Sequence, residues 1–129
     1  MAEITKVFPY HYAEVEDLSL TNRHPIFEQV VELDITDLPS GVYAVTVSLV
    51  WNLPSTNDSI VYRLDNGTRG TEFSEEAKDA DDRKPKSYTY PYTHKGGPFH
   101  LSLNACIGNS GGSPAIEINH AALTLKREA

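Results

Sequence analysis

The sequence predicts an all-β fold, an antiparallel β-sandwich or jelly roll of about eight strands in a single domain spanning residues 1–129. Three observations lead there. Apolar residues recur with a period of two, the mark of strands that turn one face to a core. Turn-forming residues punctuate those runs at short intervals. No segment carries the apolar period of a long helix. A chain of 129 residues, 40% hydrophobic and 22% charged, has the length and composition for one packed core.

The elements follow in order. Residues 1–20, MAEITKVFPYHYAEVEDLSL, read either as an N-terminal arm that grips a neighbour or as the first strand. In FEQVVELDI, Phe27, Val31, Leu33 and Ile35 form one apolar row. Leu38-Pro39-Ser40-Gly41 is a tight turn, with proline presetting φ and glycine free to take φ > 0. From Gly41 onward Tyr43, Val45, Val47, Leu49 and Trp51 make the heaviest row in the chain, while Val42, Ala44, Thr46, Ser48 and Val50 are smaller. Trp51 therefore reads as a core plug, its indole N–H bonded near the sandwich end, rather than as an exposed platform for a sugar.

Further along, Ile60, Tyr62 and Leu64 point inward and Arg63 outward, and Asp65-Asn66-Gly67 signals a type I′ hairpin. Residues 72–86, EFSEEAKDADDRKPK, read as a charged loop insertion with room for one helical turn before Pro85. Tyr88, Tyr90 and Tyr92 share a face if SYTYPYTH is extended, and Pro91 suits an edge strand. They serve either as an interface or as a cover for the sandwich end. Phe99, Leu101, Leu103, Ala105 and Ile107 form another inward row, and residues 108–114 a loop between strands. In IEINHAALTL, Ile116 and Ile118 keep one phase and Ala121, Leu123 and Leu125 the other, so a β-bulge is expected near His120.

Composition narrows the function. A net charge of −7 opposes binding to nucleic acid or to an anionic membrane. No apolar run approaches the roughly 18 residues of a membrane span, and the start shows no secretory signal. Cys106, the single cysteine, cannot form an internal disulfide. Asn57-Asp58-Ser59 and Asn66-Gly67-Thr68 match glycosylation acceptors, which without an export signal read as chance.

Few residues suggest chemistry. Gly108-Asn109-Ser110-Gly111-Gly112 matches the G-x-S-x-G of a hydrolase nucleophile elbow and is similar to the serine loop of trypsin-like proteases. An elbow must lead into a helix, but Pro114 and the alternating AIEINH come next. Catalysis through Ser110 is thus the last-ranked reading. The five histidines lack metal-ligand spacing, and Cys106 has no partner for zinc. Asp79, Asp81 and Asp82 with Glu75 and Glu76 depart from the EF-hand pattern and are offset by Lys78, Arg83 and Lys84. No cofactor, metal or catalytic residue is expected.

From about Phe27 to Lys126 the chain resembles small jelly-roll accessory proteins of tailed-bacteriophage virions. The resemblance rests on VYAVTVSLVWNL, NDSIVYRLDNG, EFSEEAKDADDRKP, HLSLNACIG and PAIEINHAALTLKR. It implies a non-enzymatic structural protein located in the virion, either decorating a capsid or sitting on a tail or its fibres. It also implies a homo-oligomer, a trimer above all, with major capsid or tail proteins as partners. Aromatic residues favour interface cores, which nominates Phe8, Tyr10 and Tyr12 together with Tyr88, Tyr90 and Tyr92. The competing reading is a carbohydrate-binding jelly roll for host attachment, its glycan held by the tyrosines with Asp58, Asn104 or Asn109.

Overall fold

In the computed structural model, which describes residues 10–53, 58–66, 72–76, 82–108 and 113–128, the alternating runs become strands. These are β1 (Tyr10–Leu20), β2 (Glu28–Leu38), β3 (Gly41–Leu53), β4 (Ser59–Asp65), β5 (Glu72–Glu76), β6 (Asp82–His94), β7 (Gly97–Ile107) and β8 (Ile116–Arg127). They form two four-stranded antiparallel sheets, ordered β1-β8-β3-β6 and β2-β7-β4-β5. The pairs are nested: β1 with β8, β2 with β7, β3 with β6, β4 with β5. The chain is thus one long hairpin rolled up so that alternate segments join opposite sheets, which is a jelly roll.

The inward rows meet between the sheets. Tyr43, Val45, Val47, Leu49, Trp51, Phe99, Leu101 and Leu103 are all buried, and Leu53, Ile60, Tyr62, Ile107, Ile118 and Leu123 join them. The Tyr43 hydroxyl donates to the Pro39 carbonyl at 2.6 Å, tying β3 to the turn that feeds it. The expected hydrogen bond of Trp51 is not made: its Nε1 finds no acceptor among the described residues. The ring lies 6.1 Å from that of Tyr62, so apolar contact, not a polar handle, seats the indole.

The phase slip in β8 falls beside His120, as expected. Val50 pairs with His120 and Trp51 with Ile118, leaving Asn119 as the extra residue. The neighbouring β1 slips at the same level. Ala13 and Val15 pack on the core from one phase, Leu18 and Leu20 from the other, and Asp17 between them takes φ 51° opposite Asn119. Matched irregularities keep β1 and β8 in register while β3 runs straight, and both halves of each strand still face the core.

Other expectations change. Residues 10–20 are a strand, and the remaining part of the proposed arm, with Phe8, lies outside the described residues. The 72–86 stretch is not one loop, because it contains β5 and the start of β6. Both are edge strands, where charged residues guard unpaired backbone, so a charge-rich sequence is compatible with pairing. Gly67 of the expected Asp65-Asn66-Gly67 hairpin lies outside the described residues, and β4 and β5 pair antiparallel from Ser59–Glu76 to Arg63–Glu72. Phe27 precedes β2 and lies under the Arg63 guanidinium at 4.0 Å. A register shift between Gln29 and Val31 instead puts both Val30 and Val31 in the core.

The left-handed backbone at Asp17 yields a prediction. Asp17→Gly removes the Cβ penalty and is expected to leave stability unchanged or raise it by up to about 1 kcal/mol in urea unfolding. Asp17→Val is expected to cost about 1–2 kcal/mol. Equal midpoints for the two variants would show that this residue does not hold the slip.

Candidate functional site

The three tyrosines of β6 pair with the heaviest core row: Tyr92 with Tyr43, Tyr90 with Val45, Tyr88 with Val47. Directly opposed residues share a face, so all three point inward and extend the core to the edge of the sheet. Tyr90 and Tyr92 are half-buried and pack on the core. The Tyr92 ring lies 5.4 Å from Phe99, and its hydroxyl donates to His94 Nδ1 at 2.7 Å. His94 is buried, and its Nε2–H donates to the Gly97 carbonyl at 3.0 Å. Burial holds the Tyr90 phenol above its ordinary pKa, and the neighbouring Tyr92 adds to this.

Tyr88 is 40% exposed, and its hydroxyl pairs with that of Tyr62 at 2.7 Å, joining the two sheets. Beside this pair lies a cavity of about 330 Å³ lined by Val47, Tyr62, Leu64, Tyr88, Thr89, Tyr90 and Leu103. The other nominated aromatic group is elsewhere. Tyr12, 47% exposed, sits on β1 at the opposite edge of the same sheet, and nothing is placed for the side chains of Phe8 and Tyr10. Tyr12, the member of its group whose side chain is described, is thus apart from Tyr88, Tyr90 and Tyr92.

The polar residues nominated for a glycan have structural tasks. Asp58 is buried and accepts from the Ser113 backbone N–H at 2.5 Å and its hydroxyl at 2.9 Å. Arg23 donates to the Ser113 carbonyl at 2.8 Å, so three segments are stapled at one end of the sandwich. Asn104 donates to Asp65 and Ser102 on the outer face of the second sheet. Asn109 and Ser110 lie outside the described residues, as do Asp79 and Asp81. The Ser110 loop leads into strand β8 and not into a helix, so the nucleophile elbow lacks its required context. The loop's start is packed tightly too: a Cβ on Gly108 would collide with Ser59 Oγ.

One cluster escaped the sequence reading. His120 Nε2 lies 2.9 Å from Glu14 Oε2, and the Tyr12 hydroxyl donates to the same oxygen. Glu14, Glu16 and His120 place ligand atoms within 4.8 Å of one another, on exposed surface. Within this set the Glu14 carboxylate is held by His120 across the strands and by Tyr12 on its own strand. Only the β1–β8 register juxtaposes these residues, so spacing along the chain could not reveal them. The Tyr12 hydrogen bond first, and the His120 contact second, hold the Glu14 carboxyl below its ordinary 4.5.

No protein-family model matches the sequence, and no curated protein matches it. Solved structures share the fold. A chain of an infectious bursal disease virus particle matches 98% of this chain and 33% of its own, with a TM-score of 0.68 at 9% identity. The chain thus spans about a third of that virus protein's length. FLHE matches 96% of this chain and 100% of its own, with a TM-score of 0.57 at 13% identity. Eiger TNF from S. frugiperda matches 94% of both chains, with a TM-score of 0.54 at 12% identity. At such identities the likeness establishes the sandwich and nothing more.

The Glu14 contacts predict a pH dependence with a definite sign. A carboxyl whose folded pKa is depressed contributes stability that is complete above its ordinary value and is lost as pH falls through the folded pKa. The stability difference between the wild type and Glu14→Gln should therefore shrink on acidification below 4.5. Urea unfolding at a series of acidic pH values checks this, and a difference that widens there would contradict the assigned contacts.

Proposed function

We propose that the chain is a non-enzymatic structural component of a virus particle, decorating a capsid or attached to the tail or fibres of a tailed phage. The observation that carries this reading is the two-sheet jelly-roll strand order, matched over 98% of the chain by a protein of a virus particle. The resemblance of the sequence to phage accessory proteins supports the tailed-phage assignment. The polar groups support a non-catalytic role: His94, His100 and His120 are each bonded within the scaffold, to Tyr92 and Gly97, to Glu32, and to Glu14. The glycan reading has less support, because Asp58 and Asn104 are bonded within the scaffold, while Asn109 lies outside the described residues.

A particle repeats one contact many times, so a closed ring of subunits multiplies weak contacts through avidity. A homotrimer bound to major capsid or tail proteins is the favoured assembly. Its contact is assigned to the N-terminal aromatic group, because Tyr12 is exposed on an edge strand whereas Tyr90 and Tyr92 already serve the core. Light scattering across a concentration series tests this. Tyr12→Glu should yield a folded monomer. Tyr90→Ala should cost about 1–3 kcal/mol of stability and leave the subunit count unchanged. A wild-type chain that stays monomeric at high concentration, and that mass spectrometry does not find in purified particles, would overturn the proposal.

A further inference from the structure

We propose that the cavity beside β6 is a binding site for one small, neutral, apolar molecule carrying at most a single hydroxyl or carbonyl group. The inference is independent of the virion reading and rests on how the cavity is built. Val47 from one sheet and Leu103 from the other are 3% and 0% exposed and belong to the rigid core. Tyr62 and Tyr88 face each other from opposite sheets, their hydroxyls 2.7 Å apart. Tyr88 is 40% exposed, which brings this side of the cavity to solvent.

The lining decides the chemistry. Val47, Leu64, Leu103 and the tyrosine rings supply apolar surface, and none of the described lining residues carries a charge at neutral pH. An ion would lose its hydration without compensation. A sugar would leave most of its hydroxyls unbonded for the same reason. A cavity of about 150 Å³ accepts benzene, so roughly a dozen heavy atoms suit the 330 Å³ found here. The volume lies within the range of ligand pockets. A guest of this kind makes dispersion contacts with the aliphatic and aromatic lining. The Tyr62–Tyr88 hydroxyls can donate to, or accept from, one polar group on the guest.

Trp51 is a built-in reporter: it is the only tryptophan, and its ring lies 6.1 Å from that of Tyr62. The experiment titrates the full chain with n-decanol and with decanoate, read by Trp51 emission and by calorimetry. Decanol should bind saturably and one-to-one, with decanoate at least about tenfold weaker because its charge would be buried. Leu64→Phe narrows the cavity and should abolish binding while leaving the melting temperature unchanged or higher. Tyr88→Phe, which leaves the inner core untouched, should weaken decanol binding several-fold and spare n-decane. Absence of saturable binding to the folded wild type overturns the site. So does decanol binding that neither variant alters, or a particle protein's side chain found in the cavity.

Discussion

Everything in this domain depends on β3 keeping one unbroken inward row. Tyr43, Val45, Val47, Leu49, Trp51 and Leu53 alternate into the core along its whole length. Sheet pairing spreads that phase outward on both sides, to β6 through Tyr88, Tyr90 and Tyr92 and to β8 through Ile118, Ala121, Leu123 and Leu125. A one-residue shift of β3 would send its whole inward row to the wrong face. The single cysteine cannot form an internal disulfide, so the buried row and the hydrogen-bonded ladders must hold the sheets together.

The same constraint explains the irregularities. Asp17 and Asn119 slip together, so β1 and β8 remain paired while the straight β3 beside them keeps its phase. That slip reverses which residues of β8 face outward, placing His120 beside Glu14 and Glu16. This surface contact is thus a by-product of how the core is closed. The staple of Asp58, Ser113 and Arg23 fixes the loops at one end of the sandwich in a comparable way, with a buried carboxylate meeting a backbone N–H.

Much of this was legible in the sequence, because half-buried strands write their pattern in single residues. The rows at 43–51 and 99–107 and the change of phase in β8 could each be read locally. The strand β5 and the beginning of β6 could not, since an edge strand tolerates the charges of EFSEEAKDADDRKPK as readily as a loop does. The slip at Asp17 was hidden by the small Ala13 and the acidic residues around it. Phe27 misled because an aromatic residue ahead of a strand can rest beneath an arginine instead of in the core. The Glu14–His120 contact and the cavity arise from pairing between distant segments, which no local spacing records. For the inward turn of Tyr90 and Tyr92, the sequence left two readings open, and strand register distinguishes their geometry.

The central claim is that this sandwich is a repeated structural part of a particle, contacting its neighbours through the edge that carries β1 and leaving the β6 flank open. Cryo-electron microscopy of purified particles from the infected host tests that claim most directly. The account predicts eight-stranded sandwich density in symmetry-related copies, with β1 edges at the contacts and the cavity side of β6 facing solvent. Particles that lack this density, or copies that meet through β6 with β1 exposed, would contradict it.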